Sequence, residues 1–234
     1  MDWRAKCAAV IPCLNEKLAI GPLVQHVRRF VDTVYIVDDG STDGTGQSAL
    51  GVGGELLRHE TTRGKGAALR TGWNHAKRDG FTWVLTMDGD GQHSADDIPA
   101  FFECIEQTSA TLVIGNRMSD AQSMPCLRRF VNRWMSRRLS RLASLELPDS
   151  QCGFRLIDLN ALANISIGTA HFEIESELLL GFIQRGYRVE FIPIQVIYKS
   201  EQSKIQPLRD TYRWFHWWGK AKRTQLPKHA ARSL

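Results

Sequence analysis

Short apolar runs alternate along the first half of the chain with longer stretches in which apolar residues recur every three or four positions. The runs are "CAAVIPCL", "TVYIV" (residues 33–37), "GELLRHE", "FTWVLTMD" and "ATLVIGNR". Bounded by Gly, Asp, Ser and Thr, they read as buried strands. Residues 16–32, the glycine-led "GKGAALRTGWNHAKRDG" and the capped "SADDIPAFFECIEQ" read as the helices between them. In the second of these, Ala68, Leu69, Trp73 and Ala76 form the apolar face. Strand–helix alternation of this kind predicts an α/β fold, a Rossmann-like, mostly parallel sheet flanked by helices. After Arg117 the rhythm changes to an amphipathic helix, "SQCGFRLI", the helix "FEIESELLLGFIQRG", the strand "YRVEFIPIQVIY" and a partly helical tail. No internal repeat or low-complexity linker interrupts the chain, so one core domain is expected. Its bounds are 1–205, divided at residue 117, with a basic, aromatic-rich helix and tail over 206–234.

Composition narrows this picture little. The 234 residues suffice for a proper core, and 43% hydrophobic with 24% charged residues is ordinary globular content. No apolar stretch approaches the length of a membrane-spanning helix, and the start lacks the pattern of a secretory leader. The five cysteines are an odd number without Cys-x-x-Cys spacing, which favours reduced thiols in a cytoplasmic protein over a zinc site. Charge is more informative by its distribution than by its net value of +5. "LRRFVNRWMSRRLSRL" holds six arginines and the last stretch is basic too. Such a face suits nucleotide, nucleic acid or anionic lipid, or is simply solvated.

In an open parallel sheet, ligands bind beyond the carboxyl ends of the strands. Both acidic turns fall there: Asp38-Asp39 after the second strand and Asp88-Gly89-Asp90 after the fourth. Residues two apart in an extended segment point the same way, so Asp88 and Asp90 can aim at one point. With an amide oxygen from Gln92 they suit Mg2+ or Mn2+, which take oxygen ligands and bridge to substrate phosphates. A water-exposed Asp-Gly turn is the plain alternative. An EF-hand loop is excluded, because His93 and Pro99 stand where glycine and glutamate are needed. "RGKGAALRTG" offers glycines at a helix start, where free N–H groups favour an anion, with Lys65 a candidate phosphate contact. Its order is neither a Walker loop nor a dinucleotide fingerprint.

"VIPCLNE", "VDDGSTDGT", "RGKGAALRTG", "MDGDGQH", "GNR", "DSQCGFR" and "SKI" follow one another in this chain. In that order they resemble the family 2 glycosyltransferases, most closely the dolichyl-phosphate mannose synthase-like, polyprenyl-phosphate branch, over roughly residues 7 to 205. The resemblance implies a GT-A-type fold and an inverting transfer from a nucleotide sugar. By position it assigns Pro12, Leu14, Glu16, Val37 and Asp39 to the base and ribose. Asp88, Asp90 and Gln92 are assigned to the metal, with Gly89 in the same turn beside the donor. Arg117 would contact phosphate, and Lys204 would sit on a loop closing over the diphosphate. Arg128 and Asn132 would meet the acceptor phosphate, with Asn132 in place of the usual serine. An arginine that the family often carries just before "SK" is absent; Tyr198 and Lys199 stand near instead.

A phosphate-monoester acceptor, already ionised at neutral pH, needs no general base. Glu173, Glu175 and Glu177 are candidate bases if the acceptor is instead a hydroxyl; otherwise they are helix-face acids. Leu127, Val131, Met135, Leu139 and Leu142 form an apolar stripe at helical spacing, with Arg129, Arg133, Arg137 and Arg141 opposite. "YRWFHWW" resembles an interfacial helix, or else a helix docked on the core or on a second copy in a homo-oligomer. The expectation is a cytoplasmic enzyme peripheral to the membrane, taking a UDP- or GDP-sugar and a lipid-linked acceptor. Transfer to a saccharide hydroxyl and a catalytically silent relative are the alternatives. A nucleic-acid partner is not expected, since the acidic turns would repel it.

Overall fold

The computed structural model describes residues 1–119, 124–197 and 207–222. A short helix α1 (Trp3–Lys6), capped by the Asp2 side chain, leads into β1 (Cys7–Cys13). The chain then alternates as expected: α2 (Lys17–Val27), β2 (Val34–Asp38), α3 (Thr45–Leu50), β3 (Glu55–Arg58), α4 (Lys65–Arg78) and β4 (Trp83–Thr86). A capped turn then opens α5 (Ile98–Thr108), followed by β5 (Leu112–Asn116). β1, β2 and β4 are buried almost throughout, apolar except for Asp38 and Thr86 at their ends, because helices cover both faces of the sheet. At the edge, β3 exposes Glu55 and Arg58, charges that discourage pairing with another chain. The face predicted for α4 is its buried one, including Ala68, Leu69, Trp73 and Ala76.

The second half holds α6 (Cys126–Ala143), β6 (Arg155–Asp158), α7 (Leu159–Leu162), α8 (Ile174–Gln184), β7 (Val189–Pro193) and α9 (Pro207–Ala221). It is no mere elaboration around the first half, because it supplies two strands of the one sheet. The order is β3-β2-β1-β4-β6-β5-β7. β6 runs antiparallel between β4 and β5, while every other pairing is parallel. The architecture is thus a single α/β domain with a seven-stranded, mostly parallel sheet, as expected.

The α6 stripe is corrected at its start and holds at Leu139, and for α9 the alternative of docking on the core is the one found. On α6 the buried residues are Asn132, Ser136, Leu139 and Ala143, whereas Leu127 and Val131 of the expected stripe are exposed. The buried side of the first two turns is polar because it faces a buried carboxylate, described below. On α9, Trp214, Trp217 and Trp218 point inward, and Trp214 donates from Nε1 to Ser176 Oγ of α8 at 3.1 Å. Trp214 also meets the ring of Trp134 on α6. Only Tyr212 and Phe215 among the α9 aromatics are strongly exposed. The tryptophans therefore dock this helix on the body of the domain.

Candidate functional site

The loops after β1 and β2 are joined by side-chain hydrogen bonds. Asn15 N donates to Ser41 Oγ and Glu16 N to Thr45 Oγ1, both at 2.8 Å, and Lys17 N donates to Asp43 Oδ2 at 3.1 Å. In return Thr42 N donates to Asn15 Oδ1 at 2.9 Å. This is what the Ser, Thr and Asp residues of "VDDGSTDGT" do: they fix the wall that carries Pro12, Leu14, Glu16, Val37 and Asp39. Asp39 is buried, and its carboxylate accepts from His59 Nδ1 (2.7 Å), Arg63 N (2.9 Å) and Gly64 N (2.7 Å). It ties the β2 turn to the start of α4. Gly64 has φ +99°, and a Cβ there would lie 2.2 Å from His171 Nδ1. Ala67 N donates to Ala170 O at 3.1 Å, and Arg70 donates to Thr169 O. The glycines at the head of α4 therefore seat residues 169–171, and this helix start is not an open anion site.

Lys65 turns away from that helix start and into the acidic motif. Its Nζ lies 2.5 Å from Asp88 Oδ1 and 2.6 Å from Glu175 Oε1. Burial would lower the Lys65 pKa, but Asp88 and Glu175 outweigh it and raise the value above the ordinary range. Burial would likewise raise Asp88, yet Lys65 and His93 hold it well below the usual carboxylate range. Asp90 is shifted the other way, up, by burial and by the Asp88 charge. Among the described residues Asp90 has no cationic partner, and its Oδ1 accepts Gln92 N at 3.0 Å. His93, not singled out from sequence, is buried, with Nε2 3.7 Å from Asp88 Oδ2 and Nδ1 unpartnered. Gly89 packs beside Cys13 at the end of β1, and Gly153 packs so closely on Asp88 that a Cβ would lie 2.6 Å from Oδ1.

A second cluster adjoins the first. Arg117 is buried and forks onto Asp149, Nε to Oδ2 at 2.7 Å and Nη2 to Oδ1 at 2.9 Å. Asn132 Nδ2 donates to Asp149 Oδ1 at 2.9 Å. Burial would lower the Arg117 pKa, but Asp149 raises it further above its ordinary value. Arg128 Nη1 reaches Gln92 Oε1 at 3.2 Å and so bridges α6 to the acidic motif. Arg155, also buried, donates to the carbonyls of Cys152, Glu175 and Ser150, fixing the segment before β6 against α8. Of the three candidate acids near α8, Glu175 meets Lys65 and through it is linked to Asp88. Glu177 instead accepts from Gly168 N, Thr169 N and Thr169 Oγ1. Lys204 lies outside the described residues.

Among the described residues no group of three His, Cys, Asp or Glu forms a cation cage. Two carboxylates on one turn at the strand ends nevertheless fit Mg2+ or Mn2+ of the kind completed by substrate phosphates. Gln92 Oε1 accepts one hydrogen bond from Arg128 and keeps a second lone pair for a cation. His59, Asp149, Arg155 and His93 escaped the sequence reading. Buried ionisable residues have no periodicity signature, and only their place inside quoted motifs marks them.

The sequence model described as glycosyl transferase family 2 matches residues 8–165. The UDP-N-acetylglucosamine–dolichyl-phosphate N-acetylglucosaminyltransferase of Methanococcus voltae is 28% identical over 212 residues, 81% of this chain and 84% of that protein. The polyprenol monophosphomannose synthase of Mycolicibacterium smegmatis is 26% identical over 199 residues, 79% of this chain and 75% of that protein. Among solved structures, glucosyl-3-phosphoglycerate synthase from Mycobacterium tuberculosis, in complex with Mn2+, UDP and phosphoglyceric acid, is similar with a TM-score of 0.73. It is 17% identical, with 96% of this chain and 80% of that one covered. At that identity the likeness concerns the fold.

Proposed function

The chain belongs to glycosyl transferase family 2 and is a glycosyltransferase; we propose that it moves a sugar from a UDP- or GDP-sugar to a polyprenyl phosphate or other lipid-linked phosphate. The observation that carries this reading is the meeting of two clusters at the strand ends. The acidic motif at Asp88 and Asp90 lies beside a basic, amide-bearing group formed by Arg117, Arg128 and Asn132. The named relatives act on dolichyl and polyprenol phosphates, which agrees with such a division.

In this reading residues 1–117 hold the donor. The wall from Pro12 to Glu16, with Val37 and Asp39, takes the nucleoside. Asp88 and Asp90, with Gln92, hold Mg2+ or Mn2+, which neutralises the leaving diphosphate when bound. Residues 118–205 hold the acceptor, with Arg128 on its phosphate and Asn132, whose amide is spent on Asp149, positioning the start of α6 behind it. Lys204 adds positive charge towards the diphosphate, while Arg117, expected on phosphate, is neutralised by Asp149 and acts by holding the end of β5 in place. An oxygen of the acceptor phosphate attacks the anomeric carbon as the bond to the diphosphate breaks, so the configuration inverts. With a second pKa of about 6 the acceptor needs no base. If it were a hydroxyl, Glu175 would be the base, being the acid linked to the motif through Lys65.

No helix of the described residues is long and apolar enough to cross a membrane. Leu127, Phe130 and Val131 on α6, with Tyr212 and Phe215 on α9, are exposed apolar groups next to Arg133 and Arg137. Apolar side chains between cations suit the interface of an anionic bilayer, so the acceptor is drawn from the cytoplasmic leaflet. The test is a thermal-shift panel of UDP- and GDP-sugars with and without Mn2+, on the wild type and Asp90→Ala. Polyprenyl phosphate and polyprenol then compete as acceptors for the stabilising donor. Metal-dependent stabilisation lost in the variant, with transfer to the phosphate, supports the reading. Transfer to the alcohol, or stabilisation that ignores Asp90, refutes it.

A further inference from the structure

Lys65 has no task in the proposed chemistry, although its ammonium sits in the acidic motif. Its side chain is 14% exposed and its ammonium lies in contact with two carboxylates from separate elements, Asp88 after β4 and Glu175 on α8. Asp90, the other acid of the motif, has no such partner among the described residues. The protein thus neutralises half of the acidic motif with a cation of its own. Arg128 engages Gln92 Oε1 in the same way, so both the Asp88 and the Gln92 positions carry a protein cation.

We propose that Lys65 is a stand-in cation: it occupies Asp88 until the divalent ion arrives, competes with that ion, and is then retained by Glu175. The inference rests on reading Asp88 and Asp90 as the metal site. Glu175 supplies the reason the exchange is reversible. Without a second carboxylate, displacing Lys65 would strand a buried ammonium, which costs several kcal/mol. With Glu175 at 2.6 Å the ammonium keeps one partner throughout. Lys65 acts here as a positioning residue that sets how tightly the motif binds metal before the donor is present.

The prediction has an unusual sign, because removing a residue of the site improves binding. Mn2+ affinity, read by calorimetry and by the free-ion spin resonance signal without donor, should tighten about tenfold or more in Lys65→Met. Tenfold is the lower end of the expected range, since a unit charge at contact distance is worth about fivefold in bulk water and about a thousandfold near a protein surface. Glu175→Gln should weaken Mn2+, because Lys65 then settles wholly on Asp88. In the Lys65→Met background the Glu175→Gln effect should vanish, to within about twofold. This cycle separates retention of Lys65 from direct ligation by Glu175. Measuring at 0.15 and 1 M salt removes any general field effect, which is screened over about 3 Å at the higher value. In the wild type, Mg2+ should shift the Lys65 Nζ resonance, a readout that does not depend on any variant folding. Unchanged or weaker Mn2+ binding in Lys65→Met, an equal Glu175→Gln effect in both backgrounds, or a motionless Nζ resonance overturns the proposal. No Mn2+ binding by the wild type overturns it together with the metal-site reading, whereas binding that needs Asp90 but ignores Lys65 overturns this inference alone.

Discussion

Asp149→Asn is the sharpest test of the second cluster. The carboxylate is fully buried and takes five donors: Arg117 N (3.1 Å), Nε (2.7 Å) and Nη2 (2.9 Å), Asn132 Nδ2 (2.9 Å) and Gln151 N (3.2 Å). Burial alone would raise its pKa, but Arg117 and these donors more than offset this and hold it at about 2, against an ordinary 3.8. A folded-state value below the unfolded one stabilises the fold above about pH 4, and that stability is lost as the pH falls towards 2. The interval from 3.8 to about 2 corresponds to about 2.5 kcal/mol. The substitution costs more than this, because it leaves the Arg117 guanidinium buried without its counter-charge. Breaking a buried pair from one side costs about 3–5 kcal/mol, a fall in Tm of about 6–20 °C for a chain of this size. Urea unfolding at pH 7 measures it, and repeating it between pH 4 and 2 should show the gap to the wild type closing. The double variant Arg117→Met/Asp149→Leu should recover part of the loss, since paired apolar replacements are often close to neutral. A loss below about 1 kcal/mol for Asp149→Asn, or a double variant worse than either single one, would refute the account.

Three further outcomes follow from the same geometry. Gly153→Ala would put a Cβ 2.6 Å from Asp88 Oδ1 and so displace the carboxylate. Its cost should be about 1–3 kcal/mol, with weaker Mn2+ binding by calorimetry; unaltered Mn2+ affinity would contradict the close packing. Glu177→Ala removes the acceptor for three donors at residues 168 and 169. Hydrogen exchange should quicken over residues 164–173, with a loss of about 1–3 kcal/mol, while the sheet stays protected. Leu127→Asp/Phe130→Asp changes two exposed residues and should abolish co-sedimentation with anionic vesicles while leaving Tm within about 1 °C; undiminished sedimentation would place the membrane contact elsewhere.

The first half of the chain was legible because its signals are local. β1, β2 and β4 are continuous apolar runs, and the acidic residues stand immediately after them in sequence. What escaped was long-range or counter-intuitive. "RLID" shows no direction, so nothing in it announces an antiparallel strand between β4 and β5. Helical spacing on α6 picked out Leu127 and Val131, but Asp149 drew Asn132 inward and Ser150 drew Ser136 inward instead. A buried carboxylate contributed by a distant loop reverses the apparent face of a helix, and periodicity carries no trace of it. The same holds for Lys65: the glycines around it suggested phosphate, but its partner Glu175 lies 110 positions further along the chain. Glycine spacing marked a close approach correctly, yet of a backbone loop rather than of a ligand.

The antiparallel strand also sets a timetable for synthesis. β4 offers an open edge from Thr86 onward, and the strand that covers it begins to pair only with residues up to Arg155 and beyond. At about 5–20 residues per second, the intervening stretch of roughly 70 residues takes a ribosome several seconds to deliver. During that time an apolar edge and a buried-type face are both open to the wrong neighbour. β5 is already made but cannot join the sheet, since its place is beside a strand not yet translated. The first 117 residues can therefore form only half a sheet on the ribosome. The nascent chain passes through an obligatory, aggregation-exposed interval whose length is written into the strand order, and whose end is the emergence of "RLID".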